Sequence, residues 1–153
     1  METRGYAVLA ANAPLQPYSF QRRALRDGDI AFDITYAGIC HSDIHQAREE
    51  WGSAIFPMVP GHEIVGVVTA IGSAVTKFSI GDCVGVGVFI DSCGLCDNCI
   101  AGEQQYCLEG MTGTYNGYER DGKTVAMGGY SNNFVIDQNY ALKVPSTLEI
   151  SGV

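Results

Sequence analysis

The chain has 153 residues, 46% apolar and 17% charged: enough for one hydrophobic core, and too apolar for a disordered segment. Nine basic against seventeen acidic residues leave a net charge of −8, a sign that repels phosphate backbones and anionic lipid and argues against nucleic acid as a partner. No apolar stretch approaches the length of a membrane-spanning helix, and Met1–Arg4 leads into no signal-like apolar core. The expectation is a cytoplasmic protein with no membrane partner.

The 19 glycines predict many turns between short strands. Gly5 to Ala10 is the first strand candidate, and Pro14 and Pro17 then predict a loop. Asp29 to Tyr36 alternates, with Ile30, Phe32, Ile34 and Tyr36 on one side, as a half-buried strand does. Cys40 to Glu50 is polar without alternation and predicts a helical turn or two. Glu63 to Ile71 is apolar and β-branched, a strand buried on both faces. Gly81-Asp82 predicts a turn before a strand over Val84 to Ile90. Asp91 to Gly110 holds four cysteines and little that could form a core. Thr112 to Gly129 is rich in glycine and tyrosine, with turns at Gly117 and Gly122. Strands over Tyr130 to Ile136 and Tyr140 to Val144 close the series. The sum is a mainly β domain, a barrel with a lobe hung on it. No G-x-G-x-x-G follows a strand within these residues, so no dinucleotide fold is expected in them.

Six cysteines without a secretion signal point to metal before disulfides. Cys93, Cys96, Cys99 and Cys107 form C-x2-C-x2-C-x7-C. Four thiolates fill the tetrahedron of a zinc ion and leave no open position, so this metal would hold structure and do no chemistry. Free or disulfide-linked cysteines and an iron–sulfur cluster are the alternatives. Cys83 lies outside the pattern and is expected to be a buried apolar residue.

All three histidines fall between positions 41 and 62. Cys40 and His62 offer a thiolate and an imidazole, both good zinc ligands, and Glu63 could add a carboxylate. A catalytic zinc wants three protein ligands and an open position. Ser42 and His45 offer a hydroxyl and an imidazole three residues apart, suited to passing a proton to solvent. Asp43 could accept the second ring N–H of His62 and fix its tautomer. A lone histidine or cysteine is more often packed or exposed than a ligand; it is the clustering that singles these out.

Gly61-His62-Glu63-x2-Gly66-x5-Gly72-x2-Val75 resembles the zinc-containing alcohol dehydrogenase pattern without a gap, and the four-cysteine lobe resembles that family in order and spacing. Cys40-His41-Ser42-Asp43-Ile44-His45-Gln46, Glu50-Trp51-Gly52 and Tyr130-Ser131-Asn132 look like the cinnamyl alcohol dehydrogenase branch. Met111-Thr112-Gly113-Thr114-Tyr115-Asn116 resembles its bacterial NADP-dependent aldehyde reductases. The resemblance covers nearly the whole chain.

It implies a mainly β, GroES-like, partly open barrel with short helices and a structural-zinc lobe at about 91–110, residues 1–153 being the N-terminal portion of a catalytic domain. Cys40, His62 and Glu63 would serve a catalytic zinc, Ser42 and His45 a proton relay, Asp43 the support of His62, and His41 the cofactor pyrophosphate. Trp51 and Phe89 would border the substrate pocket. The implied reaction is hydride transfer between NADP(H) and a primary alcohol or aldehyde, with two zincs per chain and a homodimer as the whole protein. By the same resemblance, a third cysteine ligand, a Rossmann cofactor domain and a return segment of the barrel are expected outside residues 1–153. These residues alone are therefore expected to show no dehydrogenase activity and to present open, association-prone sheet edges. The rival expectation is a zinc-stabilised GroES-like β module that binds or assembles without catalysis.

Overall fold

The computed structural model describes residues 1–153. Its elements run β1 (Glu2–Ala7), β2 (Gln16–Gln21), β3 (Asp29–Ala37), α1 (His41–Ala47), β4 (Ile64–Ile71), β5 (Cys83–Val86), β6 (Phe89–Asp91), α2 (Asp97–Ile100), β7 (Thr112–Gly113), β8 (Asn133–Asp137) and β9 (Leu142–Lys143). Short 3-10 turns sit at Gln104–Tyr106, Gln138–Tyr140 and Ile150–Gly152. All strand pairings are antiparallel. Five strands form the main sheet in the order β8-β3-β4-β5-β9, and β1-β2 and β6-β7 form two-stranded sheets beside it. The main sheet does not close on itself, so the barrel is partly open, with β8 and β9 at its edges. No helix is long and apolar enough to cross a membrane.

Alternation on β3 builds the core. Ile30 pairs with Ile71 on one side and Ile136 on the other, and Phe32 meets Val68 and Phe134. The two phenyl rings lie 5.8 Å apart, tilted 36°. Burial is unlike the simple half-buried strand expected. Asp29 to Phe32 are buried on both faces, whereas Tyr36 is 50% exposed, because two register shifts against β4 turn the strand's end out of the core. β4 likewise is buried on both faces only over Ile64–Gly66.

The expected strand over Val84 to Ile90 is two strands in different sheets. It breaks at Gly87-Val88, so β5 pairs with β4 and β6 crosses to β7. β2 lies where a loop was expected. Pro17 is tolerated because β2 is an edge strand, where a missing N–H costs no ladder bond. Cys83 is half-buried, at the start of β5 beside the Gly81-Asp82 turn. Within Asp91 to Gly110 lie α2 and one 3-10 turn.

The segment before β8 is anchored by one arginine. Arg22, just past β2, donates to the carbonyls of Asn133 and Met127 at 2.8 Å and of Gly128 at 2.9 Å, and to Ser131 Oγ at 2.9 Å. Its guanidinium lies 4.3 Å from the centre of the Phe134 ring. Burial pulls its pKa down to about 9, still charged at neutral pH. The segment 127–133 is thereby held against the end of the barrel.

Gly66 shows how tightly β3 and β4 approach. A Cβ there would stand 2.1 Å from the Asp33 carbonyl oxygen and 2.6 Å from Phe32 Cδ2. Gly66→Ala should therefore push the two central strands apart and cost about 3 kcal/mol. A urea midpoint equal to the parent's would show the strands are looser than that.

Candidate metal centres and active-site cavity

Cys93 follows β6, Cys96 caps α2, Cys99 lies within α2, and Cys107 follows the 3-10 turn at Gln104–Tyr106. The four Sγ atoms lie within 4.8 Å of one another. All six cysteines of the chain are free. A zinc with four Zn–S bonds of about 2.3 Å requires Sγ–Sγ edges of about 3.8 Å, and Cys93 and Cys99 stand 3.8 Å apart. Backbone N–H groups point at the sulfurs: Cys96 N–H donates to Cys93 Sγ at 3.3 Å, Cys93 N–H to Cys107 Sγ at 3.4 Å and Leu108 N–H to Cys96 Sγ at 3.4 Å. Such donors stabilise thiolates. The Leu108 and Cys99 backbone N–H groups bring the Cys96 thiol down to about 6. Cys93, despite the Leu95 and Cys96 N–H groups, is held up to about 11 by burial and its hydrogen bonds to Cys107 and Cys96, so that without metal the proton stays on Cys93. Donor set, spacing and thiolate support all fit zinc. Ser92 joins this lobe to the barrel, with its Oγ 3.3 Å from Cys99 Sγ and 2.7 Å from the Tyr140 hydroxyl.

The second cluster is assembled by α1 and the start of β4. Cys40 is the N-cap of α1, and His62 and Glu63 immediately precede β4. Gly38 N–H donates to the Glu63 carbonyl at 2.7 Å, holding the two segments side by side. Cys40 Sγ, an imidazole nitrogen of His62 and a carboxylate oxygen of Glu63 lie within 4.8 Å of one another. His62 is 9% exposed. A thiolate, an imidazole and a carboxylate are a zinc donor set. Ser42 Oγ lies 3.4 Å from His62 Nε2. A cavity of about 600 Å³ opens over this cluster, walled by Cys40, Ser42 and His62 below and by Gln46, Trp51, Val88 and the 111–118 segment around it.

Asp43 does not support His62 as expected. No hydrogen bond joins it to that imidazole. Its Oδ2 accepts from Cys40 N–H at 2.9 Å and from the Tyr130 hydroxyl at 3.0 Å, and its Oδ1 accepts from Gly61 N–H at 3.0 Å. It therefore grips the backbone at Cys40 and at the residue before His62. The carboxylate lies in the first turn of α1, where its short side chain reaches back to the cap, so backbone donors take it before the imidazole can. Phe89 is also displaced. It packs edge-on against Tyr140, centroids 4.9 Å apart, and Val88 takes the place at the cavity because the chain switches sheets at that point. Trp51 does line the cavity. His41 is exposed at the head of α1, its ring centroid 6.2 Å from that of His45.

Three contributors were not anticipated: Glu50, Tyr115 and Asn116. Glu50 Oε2 lies 2.5 Å from His45 Nδ1. It reaches there because α1 ends in a reversal: Glu49 takes φ 57° and Glu50 N–H bonds back to the His45 carbonyl at 2.9 Å. This is the closure a glycine usually makes, so composition carries no signal for it. The His45 hydrogen bond holds the exposed Glu50 carboxyl below its ordinary pKa. Trp51 stacks on His45 at 4.8 Å. Tyr115 lies parallel to the His62 ring, 5.8 Å away and 13° off parallel. Its hydroxyl is buried without a hydrogen-bond partner, and burial, then Asp43, push its pKa far up. Asn116, at φ 55°, accepts from Ile55 N–H at 2.8 Å and donates to Gln46 Oε1, tying the 111–118 segment to α1.

The family of alcohol dehydrogenase GroES-like domains matches residues 26–146. The chain belongs to that family. It is 56% identical over 146 residues to NADP-dependent alcohol dehydrogenase C 1 of Mycolicibacterium smegmatis, covering 95% of this chain and 42% of that protein. Two solved structures superpose closely. Cinnamyl alcohol dehydrogenase 4 of Sorghum bicolor gives a TM-score of 0.94 at 42% identity, over 99% of this chain and 43% of that one. The cinnamyl alcohol dehydrogenase of Helicobacter pylori complexed with NADP(H) gives 0.92 at 42% identity, over 98% and 43%. This GroES-like alcohol dehydrogenase chain thus spans less than half the length of the relatives it matches. The mainly β, GroES-like, partly open barrel that the resemblance implied agrees with this family match and with the open five-stranded sheet.

Proposed function

We propose that residues 1–153 form the N-terminal portion of the catalytic domain of a zinc-dependent, NADP-linked alcohol dehydrogenase acting on primary alcohols and aldehydes. One observation carries this reading: Cys40, His62 and Glu63 bring zinc-type donor atoms within 4.8 Å of one another, and Cys40 and His62 lie on the wall of a cavity that Ser42 also lines. The names of the relatives support the NADP and alcohol assignments.

Cys40 and His62 would hold the catalytic metal, with Glu63 as a further donor or a support for it. When bound, zinc supplies Lewis acidity at the substrate oxygen and NADP(H) the hydride chemistry. Ser42 exchanges the alcohol proton at Oγ. His45, one helical turn along, exchanges it with solvent from Nε2, because Nδ1 is occupied by Glu50. Glu50 orients the imidazole through Nδ1. Tyr115 covers one face of His62 and keeps water from it. His41, at the exposed head of α1, would meet the cofactor pyrophosphate. Cys93, Cys96, Cys99 and Cys107 would hold the second zinc as a structural brace.

Metal content tests this. Two zincs per chain are expected, one lost in His62→Ala and the other in Cys96→Ser. A single zinc, indifferent to His62, would instead mark a zinc-braced β module. Residues 1–153 hold no dinucleotide fingerprint, so by themselves they should turn over neither cinnamaldehyde nor benzaldehyde with NADPH. In a protein carrying these residues together with a cofactor domain, Ser42→Ala should lower turnover about 10²- to 10⁴-fold. Turnover unaffected by that change would remove Ser42 from the relay.

A further inference from the structure

Asp43 is 4% exposed and is the one side chain that binds the backbone at both Cys40 and Gly61. A carboxylate holding two backbone N–H groups from different segments sets the distance between those segments, here the segments that carry Cys40 and His62. It can do so only if its own orientation is set. The third donor it receives is the Tyr130 hydroxyl, at 3.0 Å from Oδ2, from a residue 87 positions away.

Tyr130 is itself placed by its backbone. Its N–H donates to the Pro60 carbonyl at 2.9 Å, and its carbonyl accepts from Tyr6 N–H at 2.8 Å. Arg22 grips the carbonyls and the hydroxyl on either side of it. The ring packs on Gly61 so closely that a Cβ at that position would lie 2.6 Å from Tyr130 Cδ1, and Gly61 adopts φ 100°. The backbone entering His62 therefore meets Tyr130 three times: at the Pro60 carbonyl, at the ring against Gly61 and through Asp43. Burial, then the Asp43 charge, hold the phenol far above its usual pKa, so it remains a donor.

We propose that Tyr130 is a positioning residue for the Cys40–His62 pair, acting through Asp43: its hydroxyl locks the carboxylate rotamer that fixes the spacing of the two ligand-bearing segments. The inference rests on the reading of Cys40 and His62 as metal ligands. It concerns residues that set the ligands' geometry; Tyr130 does not line the cavity over Cys40 and His62.

Tyr130→Phe removes the hydroxyl and keeps the ring. Tyr140→Phe is the matched control, since it removes another tyrosine hydroxyl, the one bonded to Ser92 in the four-cysteine lobe. Amide hydrogen exchange on the chain with only the four-cysteine site loaded gives a readout free of any metal at Cys40. Tyr130→Phe should speed exchange at Cys40 and Gly61 about tenfold or more, and Tyr140→Phe should leave both unchanged. Cobalt substitution gives the second readout. In Tyr130→Phe, the cobalt absorption that depends on His62 should shift and that cobalt should be retained about 10- to 100-fold less tightly, with the four-cysteine cobalt spectrum unaltered. Parent-like exchange at Cys40 and Gly61 in Tyr130→Phe overturns the proposal, and so does equal acceleration by Tyr140→Phe, which would mean general loosening. If the parent takes up only one cobalt, the metal reading fails, while exchange still decides whether Tyr130 locks Asp43.

Discussion

Cys99→Ser is expected to cost the chain one zinc and about 4 kcal/mol or more of stability, seen as a fall of roughly 10 °C in the thermal midpoint. Cys99 is the most enclosed of the four thiols, 6% exposed, and its sulfur lies beside both Cys93 Sγ and Ser92 Oγ. The lobe has little else to hold it. Leu95, Ile100 and Leu108 are 72–82% exposed, so apolar burial contributes little there. Its order comes from converging sulfurs and the N–H groups aimed at them. A structural zinc is worth about 10 to 16 kcal/mol in isolated zinc-finger peptides, and losing one of four thiolates forfeits a sizeable part of such an amount. The loss passes to the barrel through Ser92 and Tyr140. A chelator should reproduce the effect in the parent protein. Unchanged zinc content and midpoint in Cys99→Ser would remove metal as the lobe's organiser.

Asp43→Ala is expected to be comparably severe by a different route. It strands three inward-facing donors at once: Cys40 N–H, Gly61 N–H and the Tyr130 hydroxyl. Leaving a buried donor unpaired costs about 1 to 3 kcal/mol, more where the lost acceptor was charged. Water entering the gap would reduce the sum, so about 4 kcal/mol overall is expected, read as a lower urea midpoint. Asp43→Asn keeps the shape but presents an amide NH2 to at least one donor, and should recover only part of the loss. The metal held through Cys40 and His62 should go, while the four-cysteine zinc stays. Loss of both metals together would show general unfolding in place of a local failure at Cys40 and Gly61.

The two clusters were legible to different depths. C-x2-C-x2-C-x7-C lies within one short segment, so its spacing nearly dictates its convergence, and the structure adds chiefly the N–H groups that support each sulfur. The Gly61-His62-Glu63 run and Gly66 were legible as a motif, though not for their physical reasons. Gly61 is where the Tyr130 ring presses, and Gly66 is where the Asp33 carbonyl passes. For Asp43 the motif suggests His62 as partner, whereas the carboxylate bonds to Cys40 N–H, Gly61 N–H and the Tyr130 hydroxyl, since competition between backbone donors and an imidazole depends on orientation. Phe89 was misplaced because the chain changes sheets at Gly87-Val88, and a side-chain face inferred by alternation does not survive that change.

The amino-acid sequence by itself determined the four-cysteine lobe, the β-rich barrel and the presence of Cys40, Ser42, His45, His62 and Glu63 as candidates, because residue type, local spacing and strand periodicity are short-range properties. The family resemblance already implied that Cys40 meets His62; only the tertiary structure decided that Glu50 turns back onto His45 and that Tyr130 closes on Asp43 from 87 positions away. Those meetings depend on the register and bulges of β3 against β4, on a left-handed residue at Glu49 and on the anchoring of the 127–133 segment by Arg22. Each is a long-range or strained feature that local residue preferences do not encode.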